Sequence, residues 1–471
     1  MTHAGACTGK SSRGLSVRIV ILGAGPTGLG AGYRLNELGH DDWTIYEASD
    51  HVGGLAASHR DAHGFTYDIG GHVLFSHYPY FTDVFDRLMG DDVVTLQRES
   101  WIRMLDRYVP YPFQNNIRHL PPEVVLECLS GLISAQRTLD PEAARDFETW
   151  IDAQFGAGIA RHFMKPYNFK VWAHPPSMMS KQWIAERVSL IDVEHLLANV
   201  LLERDDLSWG PNNTFKFPLY GGTGGFYERV RPHVEDHLKL NKRAVQVDAR
   251  AKVVYFEDGE ETSYDVLLST LPLDVLTHMT AGIPAYVRSA AMRLSWSGGL
   301  FVGVGIAAPS PSNKCWLYFP EDSSPFYRVT YLSNYSPFIA PDKDHHLLLT
   351  ETSYSPYKPE NPNTIVERTI EGLVRTGILS EENRRRIVTT NLTQVKYSYP
   401  IPTPERDEAL DTIQPALMSH NIYSRGRFGA WLYEIGNMDH SFMQGVEVVD
   451  HALSGVKERT WYQTRVPVSA R

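Results

Sequence analysis

Gly23-Ala-Gly25-Pro-Thr-Gly28 has G-x-G-x-x-G spacing, and an acid, Glu47, stands about twenty residues further on. Glycines spaced in this way let a backbone turn tightly against a pyrophosphate, with the N–H groups of the following helix aimed at it. A carboxylate at that distance accepts hydrogen bonds from a ribose and argues against a 2′-phosphorylated dinucleotide. Two more glycine pairs follow, Val52-Gly53-Gly54-Leu55 and Tyr67-Asp-Ile-Gly70-Gly71-His72. Glycine pairs admit close approach of backbone to a flat, extended ligand, which favours FAD over NAD. Near the C-terminus, Arg425-Gly-Arg427-Phe-Gly429 and Gly436-Asn437-Met438-Asp-His-Ser441 precede a helix expected from about Phe442, whose N-terminus could face a flavin pyrimidine.

Strand and helix patterns supply the frame for these residues. Val17–Leu22 reads as a short buried strand, Pro26–Leu38 as a helix with Pro at its start and Gly39 behind it, and Trp43–Glu47 as a second strand. Together they make a βαβ unit. From Leu120 to about Glu203 helix-spaced apolar residues recur, at Val124–Gln136, Glu142–Gln154 and Gln182–Leu202. Short strands return at Lys252–Gly259, closed by Asp258-Gly259, and at Asp265–Thr270. Further strands are expected at Leu300–Ile306, Lys314–Phe319, Tyr327–Leu332 and His346–Thr352, with a helix near Ile365–Arg375. The reading is an α/β fold: a discontinuous Rossmann-like FAD-binding domain, a helical insertion domain and an antiparallel β-sheet domain. Residues 1–15 read as a loose tail. The FAD-binding domain takes 16–110, 209–298 and, with a C-terminal tail, 401–471, the helical substrate and flap domain 111–208, and the sheet substrate domain 299–400.

The 471 residues are 42% hydrophobic and 21% charged, which excludes disordered, collagenous and coiled-coil classes. Lys and Arg number 45 against 55 Asp and Glu, a net charge of −10, which argues against nucleic acid or anionic membrane as partner. Cys7, Cys128 and Cys315 neither form a disulfide framework nor lie at metal-ligand spacing. A cytoplasmic location, no metal and no transmembrane helix are expected.

Seven strings carry a resemblance: Gly70-Gly-His-Val-Leu-Phe-Ser-His77, Val109-Pro-Tyr-Pro-Phe-Gln-Asn-Asn116, Met164-Lys-Pro-Tyr-Asn-Phe-Lys-Val-Trp172, Trp209-Gly-Pro-Asn212, Cys315-Trp-Leu-Tyr-Phe-Pro320, Phe326-Tyr-Arg328 and Ser424-Arg-Gly-Arg-Phe-Gly429. In this order they resemble the UDP-galactopyranose mutase family, in its longer eukaryotic-type branch, from about Val17 to Leu453. The resemblance implies an isomerase that interconverts nucleoside diphosphate-galactopyranose and -galactofuranose. It also implies FAD that is active only when reduced, with its N5 attacking the anomeric carbon, and NAD(P)H as a possible external reductant.

The resemblance further implies roles for individual residues. Arg187 and Arg328 match diphosphate-binding arginines, and Tyr318, Tyr399 and Tyr433 match phosphate-binding tyrosines. His72 falls beside the flavin N5. Tyr111, Phe113 and Gln114 fall where the base is held, with Phe163 and Tyr167 lining the same pocket. Asn168 and Trp172 match galactose contacts, and Asn437 reaches the sugar near the flavin. Gly23, Gly25, Gly28, Glu47, Gly53, Gly54, Leu55, Gly70, Gly71, Arg427, Gly436, Met438 and Ser441 would hold the cofactor. Ser189–His195 keeps the length of a mobile flap but not the family's usual residues, with Asn212 behind it. The sequence leaves open a GDP-sugar in place of a UDP-sugar, an amine-oxidase-like oxidoreductase, a catalytically silent flavoprotein, and the oligomeric state.

Overall fold

The computed structural model describes residues 17–184, 188–207 and 213–464, with no side-chain description for 463 and 464. Arg187, Asn212, Cys7 and the tail expected at 1–15 lie outside the described residues.

The nucleotide-binding layer is a five-stranded, wholly parallel sheet. Its order is Ile422–Ser424, Val266–Ser269, Ile19–Leu22, Trp43–Tyr46 and Leu238–Lys239. Numbered in chain order and read from the Leu238–Lys239 edge this is 3-2-1-4-5, the arrangement that opens a crevice at the carboxyl ends of the central strands. Ile19–Leu22 and Val266–Ser269 are buried along their whole length, as parallel strands covered on both faces must be. The helix Pro26–Glu37 packs on one face against the long helix Met438–Ser454. The backbones meet closely enough that a Cβ on Gly445 would stand 1.9 Å from the Thr27 carbonyl oxygen.

A second, seven-stranded sheet runs Ile387–Ile401, Ser295–Ile306, His346–Tyr354, Arg328–Tyr331, Trp316–Tyr318, Ser100–Met104 and Arg107–Pro110. It is antiparallel except where Trp316–Tyr318 runs parallel to Ser100–Met104. Its last hairpin, 100–110, comes from the segment read as part of the FAD-binding domain. Its 15-residue edge strand Ile387–Ile401 was not among the expected strands. There the polar run Thr389-Thr-Asn-Leu-Thr-Gln394 hides the alternation that a half-exposed edge strand retains.

Two helix boundaries differ from the pattern for a local reason. The helix expected over Glu142–Gln154 is Phe147–Ile159, because Asp146 and Thr149 form a capping box that fixes its start. Among the described residues of the helix expected over Gln182–Leu202, Val193–Leu201 is helical, with Asp192 capping the His195 N–H. Residues 160–164 form a π-helical turn leading straight into the helix Lys165–Trp172. The C-terminal helix begins at Met438 rather than about Phe442. No helix among the described residues is long and apolar enough to cross a membrane.

Candidate active site

The glycine turn is built so that no side chain fits inside it. Gly23 has φ +104°, in the left-handed region, and a Cβ there would meet Thr270 Oγ1 at 2.1 Å. A Cβ on Gly28 would meet the Gly23 carbonyl oxygen at 1.9 Å, so Gly28 closes the helix onto the strand. The helix Pro26–Glu37 starts at Gly25 without a side-chain cap, which leaves its first N–H groups to a ligand. Glu47 anchors the turn from the side: Oε2 accepts the Ala24 N–H at 2.7 Å and Oε1 the Ser49 N–H at 2.8 Å.

From this turn a cavity of about 650 Å³ runs across the molecule. Gly23, Gly25, Glu47, Gly54 and Leu55 line its near end, and Gly70, Gly71 and His72 its far end. Arg427, Gly436, Asn437, Met438 and Ser441 form the wall between, beside the N-terminus of the helix Met438–Ser454, which also lacks a side-chain cap. Gly28 and Gly53 stand behind the lining; the Gly53 N–H donates to the Ala24 carbonyl at 2.9 Å.

His72 Nδ1 is enclosed and has no hydrogen-bond partner. Desolvation, then the cations Arg328 and Arg427, push its pKa down to about 4, against the pull of Glu351. The imidazole is therefore neutral at physiological pH; the residue lines the cavity, and its Nδ1 is buried and unpartnered. Two uncapped helix N-termini along the cavity, a glycine cradle without room for side chains and an orphaned polar atom at the far end fit an extended dinucleotide with a flat ring system, and so fit FAD.

At the far end Arg328 is held by a residue the motif reading missed. Arg328 and Glu351 are register partners on adjacent strands. The guanidinium donates to Glu351 through Nε at 2.6 Å and Nη2 at 2.8 Å, and through Nη2 to the Gly71 carbonyl at 3.1 Å. Glu351 also accepts the Gly71 N–H at 2.9 Å and the Tyr327 hydroxyl at 2.8 Å. Both polar groups of the Gly71 peptide, next to His72, are thereby fixed. Burial opposes the charge on Arg328, but Glu351, then Tyr327 and Tyr399, hold its pKa well above the usual value. A lone carboxylate in the apolar strand His346–Tyr354 was the sequence signal for Glu351.

Tyr399 and Tyr433 also line this end, with the Arg427 guanidinium 5.0 and 5.7 Å from their ring centres. Beyond them lies an aromatic layer outside the cavity lining. Trp172 packs on Tyr433 and Tyr399 at 4.8 and 5.4 Å, and its indole N–H donates to Asn168 Oδ1 at 3.3 Å. Tyr318 touches both Tyr167 and Tyr111, at 5.2 and 5.3 Å, while Phe163 stacks between Tyr167 and Phe113. Phe113 and Gln114 are buried, and the Gln114 amide donates to the Ser189 carbonyl at 2.7 Å. In this structure Gln114 thus ties the expected base pocket to the segment expected to form the flap.

Comparison with known proteins agrees with this geometry. The family described as Flavin containing amine oxidoreductase matches residues 26–452. Curated relatives include 15-cis-phytoene desaturases from Glycine max, 26% identical over 58% of this chain and 51% of the relative, and from Arabidopsis thaliana, 25% identical over 55% and 48%. The chain spans about half the length of these curated relatives. A solved structure of reduced UDP-galactopyranose mutase is similar over nearly everything: 46% identity, 96% of this chain, 97% of that chain and a TM-score of 0.93. Cyclohexylamine oxidase from Brevibacterium oxydans shares the fold, with a TM-score of 0.64 at 14% identity over 92% of this chain and 98% of that one. The chain belongs to the flavin-containing amine oxidoreductases and, within them, to the UDP-galactopyranose mutase family.

Proposed function

We propose that the protein is a flavin-dependent mutase that interconverts the pyranose and furanose forms of UDP-galactose. The observation that carries this reading is Arg328, a cation locked into the cavity wall beside His72. A fixed guanidinium suits a diphosphate: with Nε and Nη2 spent on Glu351 and Gly71, Nη1 is left to donate to it. A desaturase or amine oxidase would place an apolar channel there. The likeness to the reduced mutase structure over 97% of its length supports the same reading.

The chemistry that FAD supplies when bound and reduced is a nucleophilic ring nitrogen, with no net change of redox state. Gly23, Gly25 and Glu47 would hold its ribose and pyrophosphate, and Met438 and Ser441 its ring end. Arg328 and, by the resemblance, Arg187 hold the departing diphosphate in place for its return. Tyr399 and Tyr433 donate phenolic hydrogen bonds to it, and Asn168, Trp172 and Asn437 orient the sugar. His72, neutral and with Nδ1 unpartnered, would hold or move a proton at the ring end of the cofactor. The aromatic layer around Tyr111 stacks the base.

The test is turnover of UDP-galactofuranose by FAD-loaded enzyme with and without dithionite, alongside UDP and GDP binding to the reduced form. Conversion only after reduction, without stoichiometric consumption of reductant, is the expected result. Tighter GDP than UDP binding would move the substrate to a GDP-sugar. Equal turnover by fully oxidised enzyme would end the mutase reading.

A further inference from the structure

Lys170 sits on the helix Lys165–Trp172, which also carries Tyr167, Asn168 and Trp172, yet it faces away from the cavity lining and is only 3% exposed. Withdrawing an ammonium from water is costly unless its N–H groups are bonded. Lys170 Nζ donates to the carbonyl oxygens of Glu321 at 2.7 Å and Ser324 at 2.9 Å. Both carbonyls belong to the turn between the strands Trp316–Tyr318 and Arg328–Tyr331. One strand delivers Tyr318 and the other delivers Arg328.

The turn is also tied to the sheet, by the Leu105 N–H to Glu321 Oε1 at 3.2 Å, the Phe319 N–H to the Tyr327 carbonyl at 2.9 Å and the Tyr327 N–H to the Glu351 carbonyl at 2.9 Å. Arg375 Nη1 donates to the Ser323 carbonyl at 3.1 Å, and Ser324 Oγ donates to the Phe326 carbonyl at 3.2 Å. Behind Lys170 opens a separate cavity of about 290 Å³, lined in part by Lys358, Glu360, Arg368 and Glu371. Glu360 there is already paired with Lys358 and Arg368, at 2.7 and 2.5 Å. Burial, then the Lys358 ammonium, push Lys170 down to about 7, against the pull of Asp322, Glu321 and Glu360. The sequence thus keeps a costly buried amine where its bonds go only to the backbone of one turn.

We infer that Lys170 is a positioning residue for the nucleotide end of the site, its two bonds to the turn setting the gap between the helix bearing Tyr167, Asn168 and Trp172 and the hairpin bearing Tyr318 and Arg328. The inference rests on the mutase reading for the identity of the ligand. The spacing itself is a property of the chain. On one side of the gap Tyr318 meets Tyr167 ring to ring at 5.2 Å, and Lys170 lies one helical turn beyond Tyr167. Loss of the ammonium removes both of these bonds between helix and turn, and small displacements in a binding site are expensive.

The experiment uses FAD-loaded, dithionite-reduced enzyme carrying Lys170→Met, which keeps the length of the stem, or Lys170→Arg. Flavin content, UDP affinity, and KM and kcat for UDP-galactofuranose are measured. The expected result for Lys170→Met is a rise of about tenfold in both the UDP Kd and KM. Its kcat should change by less than about twofold, with normal flavin content and partial recovery in Lys170→Arg. A UDP Kd and KM within about twofold of wild type would overturn the inference, as would equal losses of flavin and nucleotide binding. If Lys170→Met does not fold, Lys170→Gln is read by the same criteria. If wild-type enzyme binds neither UDP nor GDP, the mutase reading falls and amide exchange decides for Lys170. Faster exchange confined to 319–327 and 165–172 in Lys170→Met keeps the positioning role, and unchanged exchange removes it.

Discussion

Arg328 and Glu351 face each other across neighbouring strands in a two-bond ion pair, and Glu351 spends its remaining acceptor capacity on the Gly71 N–H and the Tyr327 hydroxyl. The cation offered to the cavity, the peptide beside His72 and a buried phenol therefore move as one unit. Removing one partner of a buried pair strands the other charge and costs about 3–5 kcal/mol. Glu351→Gln should lower unfolding stability by about that amount in urea and weaken nucleoside-diphosphate binding. Arg328→Ala should do the same to stability, so it confounds site and fold. Arg328→Lys keeps the charge, and about tenfold weaker UDP binding with most of the stability retained is the outcome that isolates the diphosphate contact. Unchanged stability in Glu351→Gln would break the unit apart.

His72 yields a pH prediction whose sign follows from its depressed pKa. In the unfolded chain the imidazole titrates near 6.5, and in the fold near 4. Between those values the unfolded state holds the extra proton, so stability falls as pH drops from about 6.5 to about 4, by at most about 3 kcal/mol from this residue. His72→Asn should flatten that part of the stability curve, measured as urea midpoints across the window. A curve as steep as wild type would mean that the ring is not enclosed as described.

Glu47→Ala removes the acceptor for two backbone N–H groups, of Ala24 and Ser49, besides the expected ribose contact. FAD affinity should fall by about 10- to 100-fold, measured by flavin release and reconstitution. Gly28→Ala should abolish flavin binding, because its Cβ would drive into the Gly23 carbonyl. A fully loaded Gly28→Ala protein would contradict the turn.

Arg425 and Glu458 form a second buried pair, at 2.5 and 2.7 Å, with the guanidinium 4.3 Å from the Trp461 ring centre. Glu458→Ala should cost about 3–5 kcal/mol in urea denaturation. The apolar double variant Arg425→Met/Glu458→Leu should recover much of that loss, since two well-packed apolar groups avoid the desolvation of both charges. A double variant as unstable as the single would show that the segment 455–464 depends on the charges themselves.

Much of the fold was legible because local signals agreed. Strand, glycine turn, helix and acid stand together at 19–47, and Ile365–Arg375 is bounded as its periodicity predicted. The parallel sheet's discontinuity was legible as well, from the strand pattern at Asp265–Thr270, far along the chain from Val17–Leu22. The edge strand Ile387–Ile401 was not, since half-exposed polar strands lack a hydrophobic signature. Glu351 escaped because its meaning lies in strand register: only pairing with Arg328, 23 positions away, turns it from an odd charge into an anchor. Gln114 shows a similar limit: its string implies a role at the base but could not reveal that its amide bonds to Ser189.

The parallel sheet draws its five strands from residues 19 to 424, and the helix that covers the glycine turn ends at Ser454. The order in which the chain leaves the ribosome therefore bears on when it can acquire its cofactor. When the turn at Gly23 has emerged, its neighbours Val266–Ser269 and Ile422–Ser424 have not been made. Pairings across several hundred residues carry a large closure cost and come late in folding. A nascent chain halted before residue 420 holds the glycine cradle without its lid, and exposes the apolar faces of Ile21, Leu29 and Ile45 that the finished molecule buries. Flavin capture therefore waits until the strand Ile422–Ser424 and the helix Met438–Ser454 have been made.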